Sequence, residues 1–212
     1  MNETLSFGLM AFTSFFTLLN PLGTMPVFLT MTANLSPEER TKTARKAIIT
    51  AIITLIAFSF SGKVLFEFFG ISIHAFRVVG GIIFFLMGQD MLQARLASTK
   101  INEEDIKSYV NDISITPLAI PMIAGPGSIT NGIILMQDAH SVTLKITLVI
   151  VIVVVLLLTF VILWSSTKLV KFLGETGNMV LMRLMGLIVM VIAVEFLFSG
   201  LSPMIREMLD LQ

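Results

Sequence analysis

Residues 147–163 read TLVIVIVVVLLLTFVIL, seventeen positions without one charge. That run approaches the ~20 apolar residues whose helix crosses the hydrocarbon core of a bilayer. A water-soluble fold would have to cover such a helix on every side, whereas in lipid its whole surface already meets an apolar medium. Composition agrees. Only 13% of the 212 residues are charged, about half the share of roughly 25% usual in soluble domains. The chain is therefore read as a polytopic membrane protein, and a soluble enzyme is excluded.

Six apolar segments follow, at about 7–32, 44–69, 71–92, 113–136, 143–167 and 178–200. At about 1.5 Å rise per residue each can span ~30 Å of hydrocarbon. Helices are required, because an open sheet would leave backbone groups unpaired in lipid. The fold class is thus all-α, with about six transmembrane helices. Formal net charge is +0, so no basic field points to nucleic acid, and the absence of cysteine excludes disulfides and thiol chemistry. Met1-Asn2-Glu3-Thr4 lacks the positive stretch of a cleaved signal peptide, so the first segment reads as a retained span.

The loops sort by charge. Arg40, Lys42, Arg45, Lys46, Arg95, Lys100, Lys107, Lys168 and Lys171 fall after the odd-numbered segments, against only Lys63, Arg77, Lys145 and Arg206 on the other side. Excess Lys and Arg marks the cytoplasmic face, which places both termini outside. The long polar stretch 94–112, with Glu103, Glu104 and Asp105, reads as a solvated cytoplasmic linker. It divides the chain into a first three-helix repeat, 1–93, and a second, 113–212.

Those halves resemble each other. Arg77, Gly80 and Gln89 lie 106 positions before Arg183, Gly186 and Glu195, and Pro21 lies 105 before Pro126. Three spans per half make the second copy enter from the opposite side, an inverted repeat of the kind secondary transporters build around a midplane site. The sharpest feature is a pair of Pro/Gly clusters, Asn20-Pro21-Leu22-Gly23-Thr24-Met25-Pro26 in the first span and Pro117 with Pro121-Met-Ile-Ala-Gly125-Pro126-Gly127-Ser128 in the fourth. Proline removes an amide donor and glycine adds backbone freedom. Each cluster is expected to break its helix, leaving backbone groups that must face protein or a watery cavity. Such amides suit a carboxylate and such carbonyls a cation. Asn20, Pro21, Gly23, Thr24, Gly125, Pro126, Gly127 and Ser128 are therefore the candidate solute-binding residues, with Thr130 and Asn131 adding polar side chains nearby. Kinking and close packing are the competing explanation for Gly and Pro in membrane helices.

Charge inside a span is costly, about 2.5–3.5 kcal/mol or more, and marks ion or proton paths. Gln89, Asp90 and Glu195 are the candidates for ion coupling. Interfacial placement or snorkelling competes for Asp90, Glu195, Arg77 and Arg183. Arg183 and Glu195 fall on different helix faces, so each needs a partner elsewhere. His74 and His140 fall in external loops, which argues against a histidine metal site. No catalytic set at depth and no nucleotide-binding motif is visible. The scattered methionines read as packing.

These residues resemble the MarC family of bacterial and archaeal inner-membrane proteins. The resemblance rests on the Asn20–Pro26 motif, Gly70-Ile71-Ser72-Ile73 before Phe76-Arg77-Val78-Val79-Gly80-Gly81, Pro117–Pro121 with Ala124–Ile129, and Arg183-Leu184-Met185-Gly186 with Glu195-Phe196. It implies an inverted-repeat transporter fold similar to that of lysine exporters, in the inner membrane with periplasmic termini, and neutral amino acid transport has been assigned within the family. The resulting expectation is a secondary transporter, not an enzyme, moving a small polar solute such as a neutral amino acid on a proton or sodium gradient. It implies no cofactor and no metal; its partners are the bilayer, the solute and the ion, and a homo-oligomer is compatible with it. A channel and a non-transporting scaffold or regulator are the alternatives.

Overall fold

The computed structural model describes residues 3–33, 35–93 and 106–209. Among them there are helices and no strand: α1 (Glu3–Leu19), α2 (Pro21–Met31), α3 (Pro37–Phe69), α4 (Ile73–Leu92), α5 (Ile106–Ile113), a wide-turned segment Ser114–Ile123, α6 (Pro126–Asp138) and α7 (Val142–Met208). Most of the sequence-read linker, 94–105 with its three acidic residues, lies outside the described residues. Its remainder begins α5, where Val110 and Ile113 are buried against Leu35.

The helices are inside-out by the standard of a soluble fold. On α1 the buried residues recur every fourth position, at Phe7, Ala11, Phe15 and Leu19, one stripe of the helix. On α3 the buried face is largely small, with Ala44, Ala47, Ala51, Ser59 and Gly62. Small residues let helix backbones approach where no hydrophobic effect drives them together. The opposite faces carry exposed Ile53, Phe60, Val64, Ile146, Ile150, Val154 and Val161. Water would not tolerate so much contiguous apolar surface; lipid does. Among the described residues five helical stretches are long and apolar enough to cross a membrane, one of them running through α1 and α2 (Glu3–Leu29), and a sixth span arises if the bent pair Val110–Ile123 and Pro126–Asp138 counts as one.

Polar caps mark the ends. Ser36 and Glu39 form a reciprocal capping box at the start of α3, whose other end closes on Gly70 with φ 63, a left-handed conformation that glycine adopts without a Cβ penalty. Ser72 and Ser141 cap α4 and α7. Glu3 Oε1 meets His140 Nε2 at 3.2 Å, so the start of α1 and the α6–α7 connection share one face. On the opposite face Lys46 Nζ donates to Asn111 Oδ1 at 2.8 Å.

α7 cannot be one rod. Its Thr147 lies against Gly8 of α1, while its Glu195 lines a cavity with Leu18 of the same α1. Along a straight helix Thr147 and Glu195 would be about 72 Å apart, but Gly8 and Leu18 are only about 15 Å apart. The chain therefore folds back between its two apolar stretches, Val142–Ser166 and Met179–Met208. The second stretch packs antiparallel on α4 through glycines. A carbon added to Gly81 would fall 2.8 Å from the Ala193 carbonyl oxygen, one on Gly88 2.8 Å from that of Gly186, and one on Gly200 2.6 Å from that of His74. These three contacts fix the register, and Glu195 falls opposite Val79.

Candidate polar cavity beside a proline-led helix

Two short helices begin alike. α2 starts at Pro21 after Asn20, whose φ is 42, a left-handed conformation that asparagine tolerates better than most residues. Asn20 Oδ1 accepts from Gly23 N at 3.1 Å, capping the new helix. α6 starts at Pro126 after Gly125, with no side chain capping it. Before it, Thr116 and Ile120 are extended, at φ −127 and −131, each preceding a cis proline, Pro117 and Pro121. The flanking helices meet at 58°. Proline at a first helical position sacrifices no hydrogen bond, because that amide has no acceptor within the helix.

The third residue after each proline, or the second, then reaches back. Thr24 Oγ1 donates to the Leu19 carbonyl at 3.4 Å and to that of Asn20 at 3.2 Å. Ser128 Oγ donates to the Ile123 carbonyl at 3.1 Å and to that of Gly125 at 3.0 Å. Both hydroxyls are buried and both reach five residues upstream across the turn. Their protons are thus committed to carbonyls released by the turn.

Of the residues read from the sequence as one solute site, Pro21, Gly125, Pro126 and Ser128 border neither of two cavities that the others line. Asn20, Gly23 and Thr24 border a small one, closed mostly by Met87, Met91, Met122 and Ile192. Its free volume is about 30 Å³. Gly127 borders a second cavity of about 340 Å³ with Arg77, Thr130, Asn131, Glu195 and Ser199, within the range of small-molecule sites. Leu18 borders both.

Between them stands a pair of rings. Phe84 borders the small cavity and Phe196 the large one, and they stack with centroids 5.7 Å apart and planes at 26°. The Gly-Pro-Gly motif seats this pair. A carbon added to Gly125 would fall 2.7 Å from Phe84 Cζ, and one added to Gly127 2.1 Å from Phe196 Cζ. Pro126 itself abuts Gly80. Pro21 opens α2 but borders neither cavity.

The three ion-coupling candidates are not brought together. Glu195 faces the polar cavity, but Gln89 and Asp90 border neither cavity. With Glu195 opposite Val79, Gln89 is about 15 Å further along α4. Arg77 is the residue that joins Glu195 instead. The signal for it was present, an arginine in each half at one offset, but register was needed to place it.

A family model described as MarC family integral membrane protein matches residues 5–205. A UPF0056 membrane protein of Pyrococcus abyssi is 37% identical, over 95% of this chain and 98% of its own. UPF0056 membrane protein YvbG of Bacillus subtilis is 39% identical, over 94% of this chain and 96% of its own. UPF0056 membrane protein YhcE of Escherichia coli is 31% identical, over 94% of each chain. No solved structure matches the chain. A match along nearly its whole length, through both proline-led helices, makes this chain a member of the MarC family of integral membrane proteins.

Proposed function

We propose that the protein is a secondary transporter of a small polar solute, a neutral amino acid in the first instance, driven by a proton or sodium gradient across the inner membrane. The observation that carries this reading is the parallel between α2 and α6. Each opens on a proline 105 positions from the other, and each is tied across its turn by a buried hydroxyl. Helices interrupted in corresponding positions of two opposed halves are how such carriers place main-chain dipoles at mid-depth. The eleven residues of α2 span about 16 Å, half the hydrocarbon core, which puts its first turn near the midplane.

In this reading 1–93 and 113–212 are inverted repeats with both termini periplasmic, and the first and fourth spans are the broken ones. The antiparallel packing of α4 on the second stretch of α7 is what a two-fold axis in the membrane plane requires of third and sixth spans. The turns at Asn20–Thr24 and Gly125–Ser128 form the walls of the route, and Phe84 with Phe196 separates its apolar from its polar part. Rocking of one half against the other alternates access, with Glu195 the group at which the driving ion acts.

The test is flux. Purified protein in liposomes, given labelled neutral amino acids under imposed proton or sodium gradients, should show saturable accumulation that collapses with the gradient. Flux that never saturates or concentrates solute would make the protein a channel; absence of flux for every solute and gradient would leave it a scaffold.

A further inference from the structure

At 33 residues α3 is about 50 Å long and outruns the ~30 Å hydrocarbon core. Its charged first turns therefore stand at and beyond one membrane surface. Thr43, Ala44, Ala47 and Ile48 bury one face of that end. Lys42 and Arg45 are exposed on the other. Lys42 comes seven and eleven residues before Ile49 and Ile53, which are 50% and 63% exposed, and so lies in one column with them. Arg45, four residues before Ile49, flanks that column. Along the axis Arg45 is about 6 Å and Lys42 about 10 Å from Ile49, against a headgroup layer of about 5–8 Å. Both cations thus sit where phospholipid phosphates lie, directly under a lipid-facing apolar stripe.

Neighbouring cations on α3 are taken by the protein. Arg40 donates from Nε to the Leu35 carbonyl at 3.0 Å and from Nη2 to that of Ala33 at 2.7 Å. Lys46 Nζ donates to Asn111 at 2.8 Å, and Lys63 pairs with Glu67. Among the described residues Lys42, Arg45 and Glu38 have no hydrogen-bond or ion-pair partner through their side chains, and all three border one groove of about 440 Å³. Its remaining polar groups are committed: Ser36 and Glu39 cap the first amides, and Thr41 Oγ1 donates to the Pro37 carbonyl. Charge in the groove therefore has an order, two cations next to the hydrocarbon and the Glu38 carboxylate about 6 Å beyond Lys42. A phosphoethanolamine headgroup has the complementary order, its phosphate next to the glycerol and its ammonium further out. Two cations beside an acid fall short of the cluster of about four to eight that draws anionic lipid by charge alone. We propose that this groove is a binding site for a phospholipid with a phosphoethanolamine headgroup. Lys42 and Arg45 donate to its phosphate, Glu38 accepts from its ammonium, and an acyl chain follows Ile49 and Ile53. The site is separate from both interior cavities and does not depend on the transporter reading.

Short-chain dihexanoyl lipids with ethanolamine, choline and glycerol headgroups, and chain-free glycerophosphoethanolamine, are titrated onto the purified full chain in non-ionic detergent. Binding is read as thermal stabilisation. The ethanolamine lipid should act at concentrations about two- to fivefold below the choline and glycerol lipids, the scale of one exposed ion pair. Glu38→Gln should erase that preference, and Lys42→Gln with Arg45→Gln should weaken all three lipids by about fivefold or more. Lys145→Gln with Arg206→Gln, which removes the same charge from exposed positions on α7, should change nothing. Equal action of the ethanolamine and choline lipids, or stronger action of the glycerol lipid, would overturn the assignment. So would unchanged lipid response in the Lys42/Arg45 double variant. Stabilisation by glycerophosphoethanolamine equal to that by the lipid would make the ligand a soluble phosphate ester and overturn the lipid as occupant.

Discussion

Gly127→Ala is the substitution whose consequence can be worked furthest. Its new carbon would lie 2.1 Å from Phe196 Cζ and 2.7 Å from Cε2, where carbon contacts are comfortable at about 3.5–4.0 Å. The ring must retreat by about 1.5 Å. It cannot simply tilt toward Phe84, because that ring is stacked on it and is itself seated on Gly125. Overpacking of this kind costs about 1–3 kcal/mol, and a displaced stack forfeits about 0.5–1.5 kcal/mol more. We expect a loss of about 2–3 kcal/mol, measured as thermal or denaturant unfolding in detergent micelles. Phe196→Leu removes the atom that is struck, so the double variant should recover about 1–2 kcal/mol of coupling energy in a double-mutant cycle. Flux should fall with the single variant, since the ring pair divides the two cavities. If Gly127→Ala costs the same whether residue 196 is Phe or Leu, the seating of that ring on the Gly-Pro-Gly turn is wrong.

Further outcomes follow from the same geometry. Thr24→Ala and Ser128→Ala each remove a donor from two turn carbonyls and should each cost about 1 kcal/mol of stability, the scale of hydrogen bonds within membranes; Thr24→Ser should retain it. Asn20→Leu loses the cap on α2 and forces a left-handed backbone on a branched residue, for about 2–3 kcal/mol by unfolding assay; Asn20→Gly should lose less. Gly88→Leu thrusts a side chain at the Gly186 carbonyl oxygen and should part α4 from α7, reducing the yield of folded protein in size-exclusion chromatography.

What could be read without coordinates was whatever local chemistry decides. Long uncharged runs imply spans whatever they pack against, and the expectation of irregular backbone at the two Pro/Gly clusters needed only the rules for proline and glycine; that helices start at Pro21 and Pro126 came from the structure. What hydroxyls do at those turns was less legible: Thr24 and Ser128 were assigned to solute, and their protons go to carbonyls five residues back. Gly125 and Gly127 were likewise read as open backbone, whereas aromatic rings from α4 and α7 occupy the space. No local pattern announces a ring that arrives from 70 residues away. Gln89 and Asp90 were grouped with Glu195 as polar groups within spans, which says nothing of where those spans cross. Gln89 lies about 15 Å along α4 from the level of Glu195. Antiparallel register, set by Gly81, Gly88 and Gly200, delivers Arg77 to that carboxylate instead.

Because the chain contains no cysteine, every single-cysteine variant reports on one position. The decisive measurement is reaction of such variants, in membranes, with a small charged thiol reagent that cannot cross lipid. Ser199→Cys and Ile134→Cys on the cavity wall should react, and Ile150→Cys and Val154→Cys on the outward face of α7 should not. Silence at Ser199 and Ile134, or reactivity no greater than at Ile150 and Val154, would mean that no watery hollow opens beside the start of α6.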